Sequence, residues 1–235
     1  MKFAASAAVL ICFLSFALFS CEDDDKAKIA SAQKCLDDLD ETSGSLASEA
    51  LACENKVSGL TSAESYSIRC AAKSLQGGIT TTSIAEAYKN IDDGSATAEA
   101  AFIVELRIEG SVNGVSASDF SAQMFEDCEA SGVTGYIYLA GLINLGTTLF
   151  SACDSSCTGS DAAQLAENLI NQCQGGDCTT ADLTTIGNTV SVVSEQYCTG
   201  GNADSEVCSE LTSAIDQAGG DPVAIANALL ANLES

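Results

Sequence analysis

The 235-residue chain carries 33 acidic residues against nine basic ones, a net charge of −24, with twelve cysteines, one proline and neither histidine nor tryptophan. So negative a surface repels phosphate backbones and anionic headgroups, which argues against nucleic acid as a partner and suits basic or cation-rich ones. Without histidine, Ser–His–Asp and Cys–His nucleophile pairs, imidazole general bases and histidine-ligated zinc are all excluded.

The N-terminal stretch falls into three zones. Lys2 gives a positive start, Phe3 to Phe19 is an uncharged apolar run, and the small Ser20 stands before Cys21. This is the layout of a cleavable export signal over 1–20. The run is short for a bilayer span and gives way at once to Glu22-Asp23-Asp24-Asp25, so no anchor helix is expected. Leu18-Phe19-Ser20-Cys21 resembles the lipobox of bacterial lipoproteins, with Phe19 bulkier than that position usually is. The resemblance implies that the Cys21 sulfur takes a diacylglycerol, that cleavage makes Cys21 the first residue, and that its new amino group is then acylated. Residues 21–28 would then be an acidic lipidated tether, solvated from Glu22 to Lys28, and the membrane a partner through the lipid, at the outer membrane or cell surface. Ordinary cleavage after Ala17, with Ser15 as its small partner, is the alternative and would give a secreted protein.

Cysteine arithmetic favours lipidation. Removing Cys12 with the signal and giving Cys21 to lipid leaves Cys35, Cys53, Cys70, Cys128, Cys153, Cys157, Cys173, Cys178, Cys198 and Cys208, an even ten. Half of the eight phenylalanines (Phe3, Phe13, Phe16 and Phe19) also leave with the signal. The core must then be built mainly from Ala, Leu, Ile, Val and Cys, which bury less area each than aromatics do. Disulfides compensate by restricting the unfolded chain and persist only in oxidising compartments.

From Ile29 onward, helical periodicity alternates with glycine stops. Leu46, Ala50, Cys53 and Val57 share a face that ends at Gly59. Thr61 and Glu64 read as a capping box before Ile68, Ala71, Ala72 and Leu75, stopped by Gly77-Gly78. Ser83 and Glu86 read as a second box before Ala87 and Ile91, closed by Gly94. The middle is ambiguous: Val104, Leu106 and Ile108 alternate with charges and Asn113-Gly114 is a hairpin signal, yet Ala98 to Phe102 favours continuing a helix. Between Glu129 and Asp154 no residue is charged. Because it holds Asn144, Thr147, Thr148 and four glycines, this stretch is expected to be a buried central helix rather than a membrane span.

The second half repeats the pattern. Ser160 opens a helix with Leu165, Ala166, Leu169 and Cys173 on one face and Gly175-Gly176 after it. Thr179 and Asp182 open another carrying Leu183, Ile186, Val190, Val193 and Tyr197, ended by Gly200-Gly201. Val207, Leu211, Ala214 and Ala218 run to Gly219-Gly220, and Asp221-Pro222 starts a last helix with Ala226, Leu229, Leu230 and Leu233. The fold class is all-α: antiparallel helical hairpins, disulfide-stapled, forming an irregular bundle or a short solenoid over 29–235, or two halves of about 29–110 and 116–235. The solenoid resembles tetratricopeptide arrays in architecture only, for their consensus is missing.

No catalytic, metal or cofactor constellation stands out. The spacings Cys153-x3-Cys157 and Cys173-x4-Cys178 fit zinc knuckles poorly, and no C-x-x-C redox pair exists. Asp154 to Ser160 mimics the start of an EF-hand, but its twelfth position is Leu165 where a bidentate Glu is required. Disulfides are the expected use of the ten cysteines. Cys35 and Cys53 lie symmetrically about Gly44 and Cys198 and Cys208 flank Gly200-Gly201, though Cys70 competes for Cys53. The expected function is a non-enzymatic lipoprotein that presents a helical scaffold to a protein partner. The alternatives are a carboxylate-dependent enzyme such as a glycan-cleaving one, and a secreted eukaryotic antigen or effector.

Overall fold

The computed structural model describes residues 24–91, 98–153, 159, 161–199 and 206–233. These residues form helices joined by short loops, with a single two-stranded ribbon. Helix α1 spans 24–37, so helix begins at residue 24, ahead of the Ile29 start that periodicity suggested, with residues 24–28 exposed. Its acidic start suits the helix dipole, and Asp25 pairs with Lys28 one turn on at 3.4 Å. Then follow α2 (Leu46–Glu54), a 3-10 turn (Asn55–Val57), α3 (Ala63–Gln76), α4 (Thr81–Ile91) and α5 (Ala98–Glu105). After the ribbon come α6 (Ala117–Ser131), α7 (Thr134–Ala152), α8 (Ala162–Gly175), α9 (Thr180–Gln196), α10 (Glu206–Ala218) and α11 (Pro222–Leu233).

Helix starts follow local hydrogen-bond chemistry. Thr179 and Asp182, expected to open α9, do so as a reciprocal box, each side chain accepting the other's amide. Asp221 accepts from the Val223 amide ahead of α11. Three caps sit one or a few residues from their expected places. Ser62, not Thr61, caps α3 by accepting from the Ser65 amide. Thr80 caps α4, and Ser83 is its reciprocal partner at the third helical position rather than the cap itself. Asp161 caps α8 where Ser160 was expected. Gly94, Gly200-Gly201 and Ser160 lie outside the described residues.

In the ambiguous middle, the helix stops at Glu105, short of the expected continuation. Ile108 donates its amide to the Thr147 hydroxyl (2.9 Å) instead of to a helical carbonyl. Strands β1 (Ser111–Val112) and β2 (Val115–Ser116) then pair antiparallel with Val112 opposite Val115. Asn113 and Gly114 both have positive φ (52° and 81°), the requirement of a tight hairpin turn.

Helix α7 is the hub: every residue from Ala140 to Leu149 is buried, as expected of the uncharged segment. It packs on α5, α6 and α9; α3 lies on α6, α8 on α5, and α11 on α9 and α10. Contacts that skip along the sequence in this way make an irregular bundle rather than a stack of nearest neighbours. Close approach is paid for in side-chain size. A Cβ on Gly146 would strike the Ile103 carbonyl, and one on Gly187 the Pro222 carbonyl. The main core runs from Cys70 to Leu233. A satellite of Ala32, Val57 and Ile68, with Ile29, Leu36 and Leu60 against it, seats α1 on the 3-10 turn and α3. No helix among the described residues is long and apolar enough to cross a membrane.

Candidate functional site

The cysteines act as staples. Cys35–Cys53 joins α1 to α2, Cys70–Cys128 joins α3 to α6, Cys173–Cys178 ties α8 to the start of α9, and Cys198–Cys208 joins α9 to α10. The ambiguity over Cys53 is thereby settled in favour of Cys35. Cys153 is disulfide-bonded too, while Cys157 lies outside the described residues, as do Cys12 and Cys21. Among the described residues no group of His, Cys, Asp or Glu could hold a metal ion. The EF-hand-like stretch 154–160 falls largely outside them.

Carboxylates were the remaining catalytic candidates. Among the described residues no Asp or Glu is fully buried. Asp127, at 13 % side-chain exposure, is held by Arg69 (3.2 Å) and Lys73 (2.7 Å) beside the Cys70–Cys128 bond. Both positive partners are themselves well covered, so this triad fixes the α3–α6 contact and leaves no lone acid or base. Arg107, the only other arginine, is bound to the Val104 carbonyl and Glu109 and lies 4.6 Å over the Phe150 ring.

Two grooves open on the N-terminal side. The larger, about 840 Å³, lies between the start of α1 and the start of α3, with Ile29, Leu60 and Ile68 along its floor and Asp25, Lys26 and Glu64 on its rim. The Glu64 carboxyl is held below the ordinary carboxylate range by its own backbone amide and the Ser62 hydroxyl. That is the opposite of what a general acid needs. The smaller, about 370 Å³, is formed where α1, α3, α4 and α7 meet. Leu36, Ile84 and Leu139 line it together with Asp37, Glu41 and Tyr136. Glu41 is fixed there by accepting from the Thr81 amide (2.9 Å) and hydroxyl (2.6 Å), which caps α4 from outside the helix.

The exposed large apolar side chains among the described residues are Tyr88, Val133 and Tyr136, around α4 and the start of α7. Nearby, Tyr138 stacks on Tyr197 with ring centres 4.0 Å apart. Burial, helped by the phenols of Tyr197 and Tyr88, pushes the Tyr138 hydroxyl up to about 12. Neither the grooves nor this stack was foreseen from periodicity, which reports the buried face of a helix and not which helices converge. Comparison with protein-family models, with characterised proteins and with solved structures gives no match for this chain.

Proposed function

We propose that the protein is an exported, lipid-anchored helical scaffold, without catalysis of its own, that presents its surface to a partner protein at the cell envelope. The observation that carries this reading is the tetrad Leu18-Phe19-Ser20-Cys21 behind an uncharged apolar run. The paired cysteines support it, since disulfides persist in oxidising compartments and not in reducing ones. The heavy acidity is consistent with a soluble body held off an anionic membrane, with the lipid as its attachment.

The test is Cys21→Ala in the full chain, followed by membrane fractionation. Loss of the acyl chains moves the protein to the soluble fraction, because several chains anchor where a single one binds reversibly. Undiminished membrane association in that variant would contradict the anchor.

A further inference from the structure

The smaller groove combines features that select one kind of occupant. Its floor is apolar, with Leu36, Ile84 and Leu139 only partly covered. Asp37 and Glu41 bring negative charge from the end of α1 and the turn after it, and no lysine or arginine lines the groove. Asp37 is steadied by the Gln33 amide (2.8 Å) and Glu41 by Thr81, so both carboxylates are held in place before anything binds. Tyr136, 39 % exposed, leaves a ring accessible beside them. The larger groove differs in having Lys26 among its acids.

The protein already uses aromatic faces for guanidinium groups. Arg69 lies 4.1 Å over Tyr66 and Arg107 lies 4.6 Å over Phe150. A planar guanidinium combines stacking with bidentate carboxylate contacts, which an ammonium cannot. We propose that this groove docks an arginine-bearing segment of a partner protein, its guanidinium on Tyr136 and toward Asp37 and Glu41, its apolar neighbours on Leu36, Ile84 and Leu139. The inference rests on the protein-partner part of the proposed function and names the chemistry of that partner. The net charge of −24 draws such a segment in, and the groove decides where it settles.

The probe is a blocked synthetic peptide, Leu-Arg-Leu-Arg-Leu, with glutamine in place of arginine as its neutral counterpart. Each is titrated into the full-length oxidised protein in nonionic detergent at physiological salt. The arginine peptide binds and the glutamine peptide does not. Tyr136→Ala weakens binding about fivefold or more without altering charge. Tyr88→Ala removes the ring that is 60 % exposed but lies outside the groove, and leaves binding unchanged. Asp37→Asn weakens binding more than Asp216→Asn, which removes the same charge from α10. Absence of binding, no difference between Tyr136→Ala and Tyr88→Ala, or equal effects of the two Asp→Asn changes would overturn the assignment. Failure here with Cys21-dependent membrane attachment intact removes the groove and leaves the anchor. The converse result spares the groove.

Discussion

Asn144 of α7 donates its side-chain amide to the Thr189 hydroxyl of α9 over 2.9 Å, both residues being about 2 % exposed. The same Asn144 accepts from Ser121 of α6 (2.9 Å), and Thr189 passes its proton on to the Thr185 carbonyl. One polar side chain thus joins three helices inside the core. Asn144→Ala leaves the Thr189 oxygen without its buried donor and the Ser121 hydroxyl with only the Ser118 carbonyl, and it opens a cavity, so unfolding free energy should fall by about 2–4 kcal/mol. Replacing the whole set (Asn144→Leu, Ser121→Ala, Thr189→Val) removes the unmet groups together and should recover most of that loss. Urea unfolding of both variants checks this; equal losses would show that the hydrogen bonds are not what holds the site.

The glycines of the bundle should separate by what a methyl group would meet. Gly146→Ala and Gly187→Ala drive a Cβ into backbone carbonyls and should cost about 1–3 kcal/mol each. Gly135→Ala, in the first turn of α7 with open space around it, should be neutral or stabilising by up to about 1 kcal/mol. Thermal unfolding of the three variants gives the order directly.

Disulfide removal should follow loop length. Cys70–Cys128 spans 58 residues and Cys173–Cys178 only 5. Chain-entropy estimates then give about 4 kcal/mol for the first and about 2 kcal/mol for the second. Paired Cys→Ala variants, unfolded in guanidinium, should rank in that order.

Tyr138 makes an alkaline signature. Its hydroxyl is pushed up to about 12, whereas an unfolded tyrosine ionises near 10. Between those values the unfolded chain releases a proton that the folded one keeps, so stability falls as pH rises from about 10 to about 12. Absorbance titration of tyrosinate should show a late step that Tyr138→Phe abolishes.

How much of this was legible beforehand depends on range. The helix starts at Thr179–Asp182 and Asp221-Pro222 are local patterns, and both helices begin there. Cys35–Cys53 was half legible: both cysteines sit on one hairpin symmetric about Gly44, but Cys70 competed for Cys53 until the helices were placed. The α3 cap moved by one residue because Thr61 and Ser62 are equally able acceptors and only the chain path chooses between them. The ribbon was underweighted because Ile108 leaves the helix for a hydrogen bond to Thr147, thirty-nine residues on. Cys70–Cys128 and the groove shared by Asp37, Ile84 and Tyr136 are tertiary facts, which no spacing rule contains.

The most direct measurement is the intact mass of the protein recovered from the membranes of cells that make it, with and without prior alkylation of free thiols. Lipid anchoring predicts a chain that begins at Cys21 and carries a diacylglycerol and an N-acyl group. It also predicts that the ten cysteines from Cys35 to Cys208 take up no alkylating agent. A chain beginning at another residue with no added lipid, or one that retains residues 1–20, would contradict it.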